Sequence, residues 1–188
     1  MAKAPKPDGE RGVFIDRDGV INEYRSDYVR VREDFAYYEF TEKAFRVLGL
    51  IGLPLVVVTN QSGIGRGYTT QDEVEYLNEK LRRDAAAWDA PLGAIEYCPH
   101  TPDENCQCRK PAPAMFERAS RKLRIQCEGS YMIGDAPSDI QAGRSLGMTT
   151  IRVRTGRGAE AARVTEDWQV DDFLAAATKV AQLEGFLE

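Results

Sequence analysis

Short apolar runs alternate along this chain with longer amphipathic stretches. The apolar runs predict five strands: GVFID (12–16), PLVVVTN (54–60), GAIEY (93–97), SYMIGD (130–135) and TTIRV (149–153). Strands that are apolar throughout and alternate with helices are typical of a parallel sheet covered on both faces. The pattern therefore predicts the α/β class, with an open, mostly parallel, Rossmann-like sheet and helices on both faces.

The stretches between the strands carry helix signals. Phe45 and Leu48 keep helical spacing behind Thr41, which we expect to cap the first helix. The TQDE sequence at 70–73 has the form of a capping box and predicts the start of the second helix. The other three helices are predicted to begin at Pro113, near Pro137 and at Asp171.

Composition and charge narrow the class of protein. The chain has 188 residues and a formal net charge of −5. This length fits one domain, so we expect a flexible tail over residues 1–11 and a single domain over 12–188. The acidic balance argues against broad nucleic-acid binding. No apolar run approaches the about 20 residues that cross a bilayer, and the N-terminus lacks a secretory signal. We expect a cytoplasmic monomer.

Polar side chains follow the predicted strands where open α/β sheets bind ligands, outside the carboxyl ends of the strands. They are Asp16 and Asp18 after the first strand, Thr59 and Asn60 in the second, Asp135 and Asp139 after the fourth, and Arg109 and Lys110 where a Cys/His-rich loop returns to the sheet. Four acids, a hydroxyl, an amide and two cations are therefore expected to converge on one crevice.

This set of groups suits Mg²⁺-assisted phosphoryl transfer. Mg²⁺ takes oxygen ligands, which Asp16 and Asp135 supply. A phosphate needs donors and positive charge, which Thr59, Asn60 and Lys110 supply. Asp16 is then the candidate nucleophile that forms an aspartyl-phosphate, with the metal offsetting the repulsion between carboxylate and ester.

Asp18 is the candidate acid and base, protonating the leaving oxygen and then activating water. Each signal is weak alone, since an Asp-x-Asp pair is usually a solvated turn or a helix cap, and Asp139 alone reads as a surface charge. The ordered combination of these residues at successive strand ends is much more specific.

Four segments together resemble the motifs of the haloacid dehalogenase superfamily of aspartate-nucleophile phosphatases: DRDGVIN, TNQSG, CRKP and GDAPSD. The longer TNQSGIGRG segment and the CPH…CxCRKP pattern resemble a narrower group. This group contains the D-glycero-D-manno-heptose 1,7-bisphosphate 7-phosphatases and the related histidinol-phosphate phosphatases.

The resemblance implies a role for each matching residue. Asp16 matches the nucleophile and a Mg²⁺ ligand, and Asp18 matches the acid/base, which also lends the metal its backbone oxygen. Asp135 completes that metal site, while Thr59 and Lys110 match groups that hold the transferring phosphoryl group. Arg109 matches a substrate-recognition residue. Apart from the resemblance, we expect Asn60, Gln61, Ser62 and the loop cations Arg66 and Arg25 to bind substrate. Asp139 is expected to lie next to the metal ligands and help to position them without binding the metal itself.

The loop YCPHTPDENCQCRKP, at 97–111, holds the only histidine and three of the four cysteines. Its candidate metal ligands are Cys98, His100, Cys106 and Cys108. Four such ligands suffice for a closed tetrahedral Zn²⁺ site and leave no open position for catalysis, and a disulfide between the last two cysteines would be strained. We predict a structural Zn²⁺, as in the resembling family, that preorganises Arg109 and Lys110. Cys127 receives no role.

The site should be open, because the segments following Asp18 and Thr59 are too short for a folded cap domain. Its expected walls are the loops at 23–35 and 62–68 and the zinc loop. Their cations favour a substrate with a second phosphate. The resemblance of TNQSGIGRG to the heptose enzymes implies that the group removed is the 7-phosphate of D-glycero-D-manno-heptose 1,7-bisphosphate.

Three alternatives remain open at this point. Histidinol phosphate is one, and its amine would want a carboxylate such as Asp27 or Glu23. A nucleic-acid 3′-phosphatase is a second, disfavoured by the charge. A non-catalytic, zinc-stabilised binding module is the third, disfavoured because Asp16 and Asp18 are both present.

Overall fold

A computed structural model describes residues 9–157 and 165–187 of the chain. Its sheet has six strands in the order β3-β2-β1-β4-β5-β6, and every neighbouring pair is parallel. The strands are β1 (Glu10–Ile15), β2 (Leu55–Asn60), β3 (Leu92–Cys98), β4 (Ile125–Gly134), β5 (Thr149–Val153) and β6 (Trp168–Val170). The predicted α/β class and parallel sheet are confirmed.

Helices cover both faces of the sheet, as expected. They are α1 (Thr41–Ile51), α2 (Gln71–Ala87), α3 (Ala114–Leu123), α4 (Pro137–Ser145) and α5 (Phe173–Leu183). Successive strand residues point to opposite faces, so Val13 and Ile15 pack in the core beneath α1, α2 and α5. Phe14 points the other way, into the core beneath α3 and α4. Two apolar layers thus cover the two faces of the sheet.

The strand order creates the crevice that the site occupies. From β1 the chain runs outward through β2 and β3, and it returns to the other side of β1 with β4. Ligands in such sheets bind where the order reverses, outside the carboxyl ends of the strands. Asp16 directly follows β1 and Asp135 directly follows β4, so the two carboxylates lie on either side of this point.

The structure differs from the sequence prediction at several elements. Strand β1 begins at Glu10, so the last residues of the expected tail belong to the sheet, while residues 1–8 lie outside the described part. Thr41 does not cap α1 but donates its hydroxyl to the Ile21 carbonyl at 2.6 Å. Helix α5 begins at Phe173 rather than Asp171, capped by Asp172. The edge strand β6 was not predicted.

The segment between β1 and α1 is a loop with one short 3₁₀ turn, at Arg32–Asp34. The segment between β2 and α3 is taken up by α2, β3 and the cysteine loop. Neither leaves room for a folded cap over the crevice. Within 9–157 and 165–187, no helix is both long enough and apolar enough to cross a membrane.

Candidate active site

Three buried carboxylates meet at the mouth of the sheet. Asp16, Asp135 and Asp139 each place an oxygen within 4.8 Å of the others. Burial, together with the neighbouring acids, raises the pKa of Asp135 to about 8. Burial likewise raises the pKa of Asp16 to about 6, although the Lys110 ammonium opposes the shift. Full ionisation of the cluster is therefore unfavourable with Lys110 as its cation.

Lys110 is the cation inside this cluster. Its ammonium nitrogen lies 2.7 Å from Asp16 Oδ1 and 2.8 Å from Asp139 Oδ1, and it donates to the Val58 carbonyl at 2.7 Å. The Asn60 amide fixes the Lys110 backbone: the Lys110 N–H donates to Asn60 Oδ1 at 3.0 Å, and Asn60 Nδ2 donates to the Lys110 carbonyl at 3.2 Å. Asn60 thus ties the end of β2 to the cysteine loop.

Asp18 is held apart from the other acids by donors. Gln61 Nε2 donates to Asp18 Oδ2 at 2.6 Å, Asn22 Nδ2 donates to Oδ1 at 2.9 Å, and the Arg17 guanidinium lies 3.1 Å away. Burial alone would raise the pKa of Asp18, but Arg17 and these hydrogen bonds lower it below its usual range. The Thr59 hydroxyl oxygen also lies 3.5 Å from Asp18 Oδ2.

A cavity of about 210 Å³ opens over these groups. The predicted residues that line it are Asp16, Asp18, Arg25, Thr59, Asn60, Gln61, Ser62, Arg109, Lys110, Asp135 and Asp139. Arg66 does not line it and lies exposed on its loop. The loop wall at 23–35 contributes Tyr24, Ser26 and Tyr28 besides Arg25.

Two charged residues of the site, Arg17 and Arg157, were not predicted from the sequence. Arg17 is fully buried, and its guanidinium bridges Asp18 to Asn78 Oδ1 of α2, at 3.1 Å. Arg157, in the loop after β5, lines the cavity and donates its backbone N–H to Asp135 Oδ2 at 2.7 Å. The polar RTGRG segment after a buried strand was the available signal for Arg157. No local pattern distinguishes Arg17.

The four candidate zinc ligands come together in one cluster. Sulfur–sulfur distances are 3.5 Å from Cys98 to Cys106, 3.2 Å from Cys98 to Cys108 and 3.5 Å from Cys106 to Cys108. His100 Nδ1 lies 3.2 Å from Cys108 Sγ and 3.6 Å from Cys98 Sγ. A tetrahedron with Zn–S bonds of about 2.3 Å has edges of about 3.8 Å. The donor set and its spacing fit Zn²⁺.

The acidic cluster fits a different metal ion. Its donors are carboxylate oxygens only, and three buried acids face one ammonium group. A buried excess of negative charge is costly unless it is paired or binds a cation. Hard oxygen donors select Mg²⁺ over softer ions. The two clusters are bridged by a short stretch of chain, since Arg109 follows Cys108 and donates to the His100 carbonyl at 3.4 Å.

Comparison with known proteins places this site in a class. Residues 107–177 match the model of the HAD-hydrolase-like family. A crystal structure of the D,D-heptose 1,7-bisphosphate phosphatase from B. bronchiseptica, complexed with magnesium and phosphate, superposes with a TM-score of 0.83 at 28% identity. The match covers 92% of this chain and 99% of that one. The chain is thus a phosphatase of the haloacid dehalogenase class.

Curated relatives narrow the class to a family. The D-glycero-β-D-manno-heptose-1,7-bisphosphate 7-phosphatase of Pseudomonas putida is 37% identical over 170 residues, covering 89% of this chain and 97% of the relative. The Escherichia coli enzyme of the same name is 41% identical over 153 residues, covering 77% and 80%. The chain belongs to the D-glycero-β-D-manno-heptose-1,7-bisphosphate 7-phosphatase family.

Proposed function

We propose that this chain removes the 7-phosphate of D-glycero-β-D-manno-heptose 1,7-bisphosphate through a phosphoaspartate intermediate on Asp16. The observation that carries the proposal is the position of Asp16, buried at the crevice between β1 and β4 beside the Lys110 ammonium. The identity of the sugar is inferred from the names of the relatives.

In the first step, a carboxylate oxygen of Asp16 attacks phosphorus while the bond from phosphorus to the sugar oxygen breaks. The Lys110 ammonium, 2.7 Å from Asp16 Oδ1, keeps the nucleophile ionised despite its burial. Thr59 and Lys110 hold the transferring group, and Asn60 holds Lys110 in register through its backbone.

Asp18 serves as the general acid in the first step and as the general base in the second. The resting carboxylate is favoured by Arg17, and the approach of a dianionic ester favours the protonated form instead. Protonated Asp18 then gives its proton to the departing sugar oxygen. In the second step Asp18 takes a proton from water, which attacks phosphorus, frees Asp16 and releases inorganic phosphate.

The proposed metals have separate tasks. Bound Mg²⁺ would neutralise charge on the transferring phosphoryl group and orient it toward the nucleophile. Asp16, Asp135 and the Asp18 backbone oxygen would hold it, with Asp139 behind them. Zn²⁺ would be held by the four ligands of the cysteine cluster, and would fix the loop that carries Arg109 and Lys110.

The cavity rim favours a second anion on the substrate. Arg25, Arg109 and Arg157 line the cavity beyond the acidic cluster, although Arg25 also lies 3.3 Å from Asp27. Neither Glu23 nor Asp27 is among the described lining residues, so the amine of histidinol phosphate would meet no rim carboxylate. This favours the 1-phosphate of a heptose bisphosphate as the group gripped at the rim.

The test is kcat/KM with Mg²⁺ over a panel of phosphate esters. The panel contains the heptose bisphosphate, histidinol phosphate and a 3′-phosphorylated oligonucleotide. We expect the bisphosphate to be preferred by at least about 100-fold, since a charged group left unpaired costs about 3 kcal/mol or more. A preference for histidinol phosphate would contradict the proposed substrate. Equal turnover of all three esters would show that the rim cations do not select a substrate with a second phosphate.

The nucleophile has its own control. Asp16→Asn should abolish turnover with every ester, because an amide cannot form the acyl-phosphate. Asp103→Asn, an exposed acid on the cysteine loop, should leave kcat/KM unchanged. Turnover by Asp16→Asn within about tenfold of the unmodified chain would exclude Asp16 as the nucleophile.

A further inference from the structure

The loop that follows β5, Thr155–Arg157, reaches across to the strand ends; we refer to it as the β5 loop. The Thr155 hydroxyl donates to the Gly19 carbonyl at 2.6 Å. The Gly156 backbone hydrogen-bonds the Tyr38 hydroxyl. The Arg157 N–H donates to Asp135 Oδ2 at 2.7 Å. The β5 loop is therefore bound both to the loop after β1 and to a carboxylate of the acidic cluster.

Two glycines close around that carboxylate. Gly19 and Gly156 have φ angles of +90° and +59°, and their Cα atoms face each other. A Cβ atom on Gly19 would lie 2.3 Å from Asp135 Oδ2, and one on Gly156 would lie 2.2 Å from the same oxygen. The Gly156 Cβ would also lie 2.7 Å from the Gly19 Cα. No side chain fits at either position without moving Asp135.

We propose that the β5 loop is a positioning element for Asp135, and that it assigns the two carboxylate oxygens different tasks. The Arg157 N–H and the two glycine Cα atoms occupy Oδ2, which leaves Oδ1 for a cation. The inference rests on the proposed Mg²⁺ site. It adds to that site the β5 loop, which lies outside the four sequence motifs.

The contacts of the β5 loop orient the Asp135 carboxylate but do not neutralise its charge. The hydrogen bond to Oδ2 comes from a neutral backbone amide, so it fixes the carboxylate without offsetting its charge. Asp135 is 2% exposed, so solvent offers little competition. Partners that orient a metal-ligating carboxylate typically contribute 10–100-fold in metal affinity. The same loop brings Arg157 to the cavity rim, so orientation of the acid and placement of that cation are linked.

The test is titration calorimetry of Mg²⁺ into the full-length protein that retains its zinc. Gly156→Ala should raise the Kd for Mg²⁺ by about 10–100-fold, because the new methyl group displaces the carboxylate. Gly52→Ala is the matched control. Gly52 has a φ of +76° at the end of α1 and open space around it, so it shares the backbone penalty without touching an acid. Its Kd should stay at the value of the unmodified chain.

Thr155 provides a second route if Gly156→Ala does not fold. Thr155→Val removes the hydrogen bond to the Gly19 carbonyl and should weaken Mg²⁺ binding severalfold, while Thr155→Ser should restore it. A folded Gly156→Ala protein with a Kd within about twofold of the unmodified chain, or equal Kd values for Thr155→Val and Thr155→Ser, overturns the inference alone. Absence of Mg²⁺ binding by the unmodified chain overturns the proposed cofactor and the inference with it.

Discussion

Replacing Lys110 with Met should destabilise the Mg²⁺-free protein severely. The Lys110 side chain is 2% exposed, and its nitrogen lies within 2.8 Å of oxygens from two acids whose side chains are 11% and 1% exposed. Methionine keeps the apolar stem but removes the charge. Three buried carboxylates would then face one another with no cation between them.

The magnitude follows from this burial. Removing one partner of a buried ion pair costs about 3–5 kcal/mol, because the remaining charge stays desolvated. For a domain of this size each kcal/mol shifts the melting temperature by about 2–4 °C. We therefore expect Lys110→Met to melt about 6–20 °C lower than the unmodified chain in EDTA-treated buffer. Saturating Mg²⁺ should recover part of the loss, since it binds only the folded state.

The assay is thermal unfolding followed by circular dichroism, with and without Mg²⁺. Lys80→Met is the control, because Lys80 also pairs with an acid, Asp84, but the two side chains are 37% and 31% exposed. Such a pair contributes only about 0–1 kcal/mol. A Lys110→Met protein that melts no lower than Lys80→Met would show that the acids of the cluster are not held together by Lys110.

Three further outcomes are expected. Cys106→Ser should lose zinc, as measured by elemental analysis, and lower kcat/KM by about 100-fold through loss of order at Arg109 and Lys110; unchanged kinetics in a folded, zinc-free protein would contradict this. EDTA should stop turnover and Mg²⁺ alone should restore it, with about one zinc per chain retained throughout; loss of zinc in step with activity would refute the division of tasks. The pKa of Asp135, raised to about 8, and that of Asp16, raised to about 6, mean that the folded Mg²⁺-free protein holds more protons than the unfolded chain above about pH 4. Its stability should therefore fall as pH rises from about 4 to 8, and the melting-temperature gain from Mg²⁺ should grow over that window; a shrinking gain would contradict the charge balance described.

The sequence was sufficient to predict the acidic crevice because two strong patterns coincide there. Fully apolar strands imply a parallel sheet, and acids directly after such strands must meet at its carboxyl edge. Asp16 and Asp135 followed from that rule, and Lys110 followed from the return of the cysteine loop to the sheet. The cysteine cluster followed from spacing alone.

The remaining parts of the site depend on contacts between distant segments. Thr155 and Gly19 are hydrogen-bonded although they are 136 positions apart in the sequence. No local sequence pattern at either residue predicts this contact. Arg17 lies between two acids in the sequence, yet its side chain is buried and donates to Asn78 of α2. Arg66 was predicted at the site from charge alone, and the turn of its loop carries it away from the cavity. Strand β6 is too short and exposed to have a buried-strand pattern.

The cysteine cluster separates an exposed part of one loop from a part that is bound to the sheet. Asp103 and Asn105 form an exposed tip between His100 and Cys106. On the other side of the cluster, Lys110 is fixed to Asn60 by two hydrogen bonds. Lengthening a flexible loop costs only about 0.6 kcal/mol per doubling. The tip is therefore a suitable place in this molecule for added residues, a reporter group or a surface tether, because the cysteine cluster lies between it and Lys110.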